Sequence, residues 1–460
     1  MIGNIFKAYD VRAIYPDPLN EDAGWKVGYA VGEFFKQGNG GQPGTVLVSR
    51  DHRPSAPSMA NALISGLRAA GMDVVDLGQA DTSFMYFAIP HIKGALGGVQ
   101  TTASHNPINY IGFKISGAGA KPIGADSGLK EIQSIAESID STDKPAVGKL
   151  EERDLWDGYR KHVLAFMSPL KRPMKVYIDA CNGMATKLVP EVFNGVENLS
   201  IIEENFEFTD QWAHEPNPLV AENMVPTQEG VKREGADLGA CFDGDADRCM
   251  ITDEKGEIIG CDHLTAFLCD HFLKQQPGSS VVYDLRASKV VEQTIKQLGG
   301  KPARSKVGHV NMKALLRETD GIFGGELSGH FYFKHNSFAD SGAIAFAAVL
   351  TVLSESGKPL SELIAPYKQY PQSGEINFEV EDKAGVMAAL KEIYSADAQM
   401  IDDLDGVTID CFENKGFWFN VRASNTEPLL RLNAEAKDAD TLAGLLSELN
   451  PRLGTVAVGH

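Results

Sequence analysis

Three observations predict an α/β protein of several domains. A strand, polar turn, helix and strand pattern recurs three times, 460 residues are too many for one core, and the C-terminal part changes to strands joined by short turns. The expected fold is three related α/β domains with mixed, mainly parallel sheets, followed by a smaller C-terminal α+β domain with an antiparallel sheet. Polar stretches place the domain boundaries at 1–150, 151–260, 261–370 and 371–460.

The first repeat reads as a strand over 45–51, a periodic apolar run over 59–70, Gly71 as a stop and a strand over 74–77. The second starts at 175–179, turns at Asn182-Gly183 and continues as a helix through 188–193. The third has a strand over 280–284, a helix over 289–298, a break at Gly299-Gly300 and a returning strand over 304–307. Such units imply parallel strands with right-handed crossovers, so ligand loops should gather at the carboxyl ends of the strands. The apolar run 343–353 is shorter than the ~20 residues that cross a bilayer and reads as a buried helix. In the last part Ile376, Phe378 and Val380 alternate, 383–394 is helical, 407–412, 417–421 and 429–434 are strand candidates, and a last helix covers 441–449.

A net charge of −19 argues against nucleic acid or an anionic membrane as partner, because both need a positive footprint. Any anionic ligand must then be held by local cationic loops. The six cysteines form no C-x-x-C pair and read as buried thiols, neither a disulfide frame nor zinc ligands. The first ten residues meet charge before any long apolar run, unlike a secretory signal, and the expected location is cytoplasmic.

The chemistry is expected in loops. In Gly97-Gly98-Val99-Gln100-Thr101-Thr102-Ala103-Ser104-His105-Asn106-Pro107 a small-residue strand runs into a turn that should present the Ser104 hydroxyl, exposed, beside an imidazole. The alternative is an ordinary turn. In Asp243-Gly244-Asp245-Ala246-Asp247-Arg248, three alternate carboxylates can converge on one hard cation. A calcium hand is the rival, but it needs glycine where Arg248 stands and helical flanks where these look like strands. Mg²⁺ is preferred, because three carboxylates leave coordination positions for water or a phosphate oxygen.

Lys114, one turn and one short strand after Ser104, could pair with phosphate or shuttle a proton if nearby cations lower its pKa; it could equally be a solvated strand lysine. Glu326, Ser328 and His330 alternate between glycines and could point to one side, matching vicinal sugar hydroxyls, or form a polar edge strand. His309 is a weaker loop candidate. Arg422, Ser424, Asn425 and Thr426, at a strand end, suit a phosphate that is gripped and released, or a capped turn. Arg12 is a further phosphate contact or a surface ion pair.

Together these loops resemble the α-D-phosphohexomutase superfamily, from Lys7-Ala8-Tyr9-Asp10-Val11-Arg12 through the serine, metal and Gly325-Glu326-Leu327-Ser328-Gly329-His330 loops to Arg422-Ala423-Ser424-Asn425-Thr426. The resemblance implies a central cleft between the four domains. It also implies the phosphomannomutase/phosphoglucomutase branch, where methionine usually stands at the Leu327 position; phosphoglucosamine mutases tend to have glutamine there. Ala13 replaces a usual glycine, and Arg286 stands where relatives often carry lysine, as a sugar or phosphate contact. The implied reaction passes a phosphoryl group between Ser104 and a hexose phosphate through a hexose 1,6-bisphosphate. In it Mg²⁺ lies on Ser104, Asp243, Asp245 and Asp247, and Arg248 assists. Lys114 and His309 handle protons, Glu326 and Ser328 read the C3 and C4 hydroxyls with His330 beside them, and the Arg422 loop and Arg12 hold phosphate. Expected partners are hexose phosphates, with the chain a monomer or weak homodimer. A phosphoglucosamine mutase and a metal-dependent sugar-phosphate phosphatase are the enzymatic alternatives.

Overall fold

The computed structural model describes residues 2–424 and 429–457. Its described strands form four sheets. The first contains β1 (Val11–Ile14), β2 (Thr45–Arg50), β3 (Asp73–Gln79), β4 (Ala95–Thr101), β5 (Tyr110–Gly117), β6 (Lys121–Pro122) and β7 (Leu150–Glu152), in the order β1-β5-β4-β2-β3-β7 with β6 on β5. The second contains β8 (Met174–Asp179), β9 (Leu199–Glu204), β10 (Leu238–Phe242) and β11 (Cys249–Thr252), ordered β11-β10-β8-β9. The third contains β12 (Ser280–Asp284), β13 (Lys301–Ser305), β14 (Phe323–Gly325), β15 (Phe331–Phe333) and β16 (Ala339–Asp340), ordered β13-β12-β14-β15-β16. The fourth contains β17 (Gln372–Glu379), β18 (Met400–Asp402), β19 (Val407–Cys411), β20 (Phe417–Ala423), β21 (Leu429–Ala436) and β22 (Thr455–Val456).

Each recurrent unit closes as a parallel pair across its helix. β2 pairs with β3 across Ala56–Ala69, β8 with β9 across Ala185–Phe193, and β12 with β13 across Lys289–Gln297. Antiparallel additions make the sheets mixed: β4 with β5, β10 with β11, and β14 with β15. The fourth sheet is antiparallel at every pairing.

The element ends differ from the sequence reading for local reasons. The second helix starts at Ala56 because Pro57 occupies its first turn, where a missing N–H costs nothing. The strand expected at 304–307 begins at Lys301, two residues after the left-handed Gly299, and Lys306-Val307 peel away into a loop. β7 extends the first sheet to Glu152, past the boundary placed at 150. The short strands β18 and β22 carry too few residues for an alternation to register.

The first sheet has its own core, in which two helices approach closely through glycine. A Cβ on Gly28 would lie 2.1 Å from the Leu63 carbonyl oxygen, and one on Gly66 would lie 2.0 Å from that of Trp25. The second and third sheets, by contrast, share one continuous core. The helix Gly342–Ser356 runs through it with Phe346 edge-on to Phe193 at 5.1 Å. The helix Thr82–His91 of the first sheet joins this core through Phe84, 5.0 Å from Tyr159. Burial on all sides explains the uninterrupted apolar run in Gly342–Ser356. Among the described residues, no single helix is long and apolar enough to cross a membrane.

Candidate active site

Ser104 follows β4 in a turn and adopts φ +52°, in the left-handed region that serine seldom enters. Its amide donates to Thr102 Oγ1 at 2.9 Å. The turn is held from below by Arg53, fully buried, whose Nη2 donates to the carbonyls of Ser104 and Asn106, each at 2.8 Å, and whose Nη1 donates to that of Tyr110 at 3.2 Å. Asp51 pairs with Arg53 at 3.1 Å. Sequence reasoning missed Arg53; the available signal was its place just after β2, where loops at a carboxyl end collect.

The Ser104 side chain is buried, not exposed as expected, because the acidic loop packs onto it. A Cβ on Gly244 would lie 2.4 Å from the Ser104 carbonyl oxygen, so only glycine permits the contact. Ser104 Oγ donates to Asp243 Oδ2 at 3.2 Å and accepts from Arg248 Nη2 at 3.2 Å. Arg248 Nε also donates to Asp243 Oδ2, at 2.8 Å. The antiparallel pair β10 and β11 presents this loop, as strand flanks and not calcium-hand helices.

Oxygens of Asp243, Asp245 and Asp247 lie within 4.8 Å of one another, all three buried. Asp245 Oδ1 has no hydrogen-bond partner among the described residues. An all-oxygen, trianionic donor set with an unsatisfied atom fits a hard divalent cation. Lys114 Nζ reaches the same carboxylates, at 2.7 Å from Asp245 Oδ2 and 2.5 Å from Asp247 Oδ2, so it is neither solvated nor depressed in pKa. Burial disfavours the ammonium, but the fields of Asp245, Asp247 and Asp243 outweigh it and raise its pKa. Of the alternatives open in the sequence, the solvated lysine and the lowered pKa are the two that this geometry does not show.

The Glu326 loop is a tight turn, not a strand. β14 stops at Gly325, β15 starts at Phe331, and Gly329 at φ +86° reverses the chain. The three polar residues nevertheless cluster, with Ser328 Oγ 2.8 Å and Glu326 Oε2 3.6 Å from His330 Nδ1. Glu326 also accepts from the Gly308 amide at 2.9 Å and the Tyr332 hydroxyl at 2.7 Å. His330 Nε2 lies 3.4 Å from Asp247 Oδ1, joining this turn to the acidic loop. Burial lowers the His330 pKa, but Asp247, Glu326 and Asp340 overcome it and push it to about 9. His309 opens the helix His309–Glu318 beside Tyr9 and His330, at ring distances of 5.6 and 6.2 Å. Burial, with Lys313 and His330 nearby, holds it well below its ordinary pKa and therefore neutral. The buried pair Lys313 and Asp340, 2.5 Å apart, went unnoticed in the sequence because neither lies in a glycine-flanked loop.

A cavity of about 550 Å³ opens between the third and fourth sheets, lined by Arg286, Glu326, Ser328, Arg422 and Arg431. Arg286, Arg422 and Arg431 converge on the Glu375 carboxylate at 3.1, 3.3 and 2.9 Å. Arg286 also pairs with Asp284. Arg431 and Glu375 were not foreseen, since each sits on a strand with no motif around it. Ser424 Oγ accepts from Arg431 at 3.4 Å, whereas Asn425 and Thr426 lie outside the described residues. Arg12 pairs with the buried Asp10 and also bonds Asn106 Oδ1, which puts it against the serine turn. Contacts therefore run unbroken from Ser104 through Asp243 and Arg248, then Asp247, His330 and Ser328, to the arginine-lined cavity.

Comparison with known proteins gives a consistent assignment. The chain matches the phosphoglucomutase/phosphomannomutase alpha/beta/alpha domains I, II and III over residues 3–143, 157–256 and 261–370, and the C-terminal domain over 375–451. It is 35% identical to a phosphomannomutase of Escherichia coli K12, with 94% of each chain covered. It is 36% identical to a phosphomannomutase of Methanocaldococcus jannaschii, with 97% of this chain and 96% of that one covered. A crystal structure of a phosphoglucomutase/phosphomannomutase family protein from Burkholderia thailandensis superposes with a TM-score of 0.89 at 29% identity, covering 98% of this chain and 97% of that one. With four domains matched in order and relatives above 30% identity along nearly its whole length, the chain belongs to the phosphoglucomutase/phosphomannomutase family of the α-D-phosphohexomutase superfamily.

Proposed function

We propose that the chain is a phosphomannomutase, interconverting mannose 6-phosphate and mannose 1-phosphate through phosphorylated Ser104 and a bound hexose 1,6-bisphosphate, and turning over the glucose phosphates as well. The observation that carries this reading is Ser104 Oγ, buried and held 3.2 Å from both the Asp243 carboxylate and the Arg248 guanidinium. A serine that only capped a turn would not need both.

In this reading Arg248 stabilises the charge that builds on the serine oxygen as its bond to phosphorus breaks, because its Nη2 already donates to that atom. Mg²⁺ held by Asp243, Asp245, Asp247 and an oxygen on Ser104 would neutralise charge on the transferring phosphoryl group. Lys114 and His309 are assigned to proton handling: Lys114 starts as an ammonium held charged by Asp245 and Asp247, so its proton becomes available only as those carboxylates turn to the cation, and His309 starts neutral beside His330. Arg286, Arg422 and Ser424, with Asn425, Thr426 and Arg12, hold the phosphate that is not reacting. Glu326, Ser328 and His330 read the C3 and C4 hydroxyls. Those are alike in glucose and mannose, so this contact set accepts both epimers. Leu327 in place of glutamine supports a hexose phosphate over a glucosamine phosphate. We assign the activity to the cytoplasm and to a monomer or weak homodimer.

A coupled assay with mannose 1-phosphate, glucose 1-phosphate and glucosamine 1-phosphate side by side tests the reading. Expected are turnover of the first two, weak turnover of the third, no release of free phosphate, and loss of isomerisation in Ser104→Ala with sugar-phosphate binding retained. Stoichiometric free phosphate would indicate the phosphatase instead.

A further inference from the structure

A second cluster of ligating side chains lies at the carboxyl end of β8. Asp179, Cys181 and His214 place a carboxylate oxygen, a sulfur and a ring nitrogen within 4.8 Å of one another. The first two are buried, and the His214 side chain reaches the surface at 16% exposure, which gives an ion a way in. The mutase chemistry uses none of the three.

Both ring nitrogens of His214 face acceptors. Nδ1 lies 3.0 Å from the Glu215 carbonyl oxygen, and Nε2 lies 2.9 Å from Asp179 Oδ2. With Nδ1–H on the carbonyl, the Nε2 lone pair points at a carboxylate unless a second proton or a cation lies there. A histidine that gives its other N–H to a backbone carbonyl is the usual outer support of a metal-ligating imidazole. Asp179 Oδ1 is engaged by the Cys181 amide at 2.9 Å and by Asn205 at 3.0 Å, which fixes the carboxylate with Oδ2 facing His214. Tetrahedral zinc with ordinary bond lengths sets N···O and S···N edges of about 3.3 and about 3.5 Å. The corresponding separations here are 2.9 Å and, from Cys181 Sγ to His214 Nε2, 3.6 Å.

We propose that Asp179, Cys181 and His214 form a second cation site, selective for a borderline-soft divalent ion of the zinc class, distinct from the all-oxygen acidic loop. Its position gives it a structural task. His214 belongs to an irregular segment in which Trp212 lies 5.2 Å from the Arg53 guanidinium that holds the Ser104 turn. On the other side, the Met184 amide donates to the Gly244 carbonyl at 2.9 Å. An ion at this site fastens the Trp212 segment to β8, between the serine turn and the acidic loop.

The test is titration of the reduced full-length protein with Co²⁺, read by absorption. One equivalent is expected to give a thiolate-to-cobalt charge-transfer band in the wild type and in Asp245→Asn. The band should vanish in Cys181→Ser, and Co²⁺ affinity should fall at least about tenfold in His214→Gln. Absence of the band in the wild type, its survival in Cys181→Ser, or its loss in Asp245→Asn would overturn the proposal. If Cys181→Ser does not fold, an unchanged titration in His214→Gln overturns it equally. The mutase reading is judged by turnover and is untouched by any of these results.

Discussion

Ser104 sits in a backbone conformation that costs a residue with a Cβ about 1–3 kcal/mol, and Arg53 offsets that cost by tying down the carbonyls of Ser104, Asn106, Pro107 and Tyr110. Removing that guanidinium leaves Asp51 buried without its cation. Arg53→Met is therefore expected to cost about 3–5 kcal/mol of unfolding free energy, measured by urea denaturation. A loss under about 1 kcal/mol would show that the turn holds itself. The distinction between Arg53 and Ser104 also marks what a sequence reveals at this scale. Ser104, Asp243, Asp245 and Asp247 advertise themselves through glycines and alternation. Arg53, Lys313 and Glu375 act through partners 51, 27 and 47 or more positions away, and spacing along a chain carries no trace of such pairs.

Among the elements, the helix Thr82–His91 connects a cap to the site. Asp81 caps it by accepting from the Phe84 amide at 3.1 Å, receives the Tyr159 hydroxyl at 2.8 Å, and precedes Thr82, whose hydroxyl donates to Asp245 at 2.5 Å. Burial raises the Asp81 carboxyl from 3.8 to about 7. The folded chain then holds a proton that the unfolded chain releases, so the stability this group contributes is full below pH 3.8 and declines as pH rises towards 7. Asp81→Asn is expected to flatten that decline in thermal midpoints recorded across the window. Equal slopes in variant and wild type would remove Asp81 as the cause. The strand and helix units were legible because apolar periodicity and glycine stops coincide in them. The Glu326 stretch read as a loop with an edge strand as its alternative, because residues alternating around one leucine look the same in a strand and in a tight reversal; the left-handed Gly329 decides between them.

At the scale of the whole molecule, the second and third sheets act as one body around Gly342–Ser356, while the fourth meets the third across the arginine-lined cavity. The repeat suggests three related α/β domains, and a repeat cannot report that two of them share a buried helix. Glu375 keeps three guanidiniums together across that cavity. Glu375→Gln is expected to lower the thermal midpoint through their mutual repulsion, and inorganic phosphate should restore it more strongly than it stabilises the wild type. An unchanged midpoint would mean that the three charges are already dissipated. The serine turn and the acidic loop meet at one hydroxyl, and the decisive measurement is made there. Protein incubated with hexose 1,6-bisphosphate labelled in its phosphates, freed of ligand and then given mannose 6-phosphate should carry label on Ser104 by peptide mass spectrometry and pass it to the sugar. Full isomerase turnover with Ser104 never labelled would contradict it.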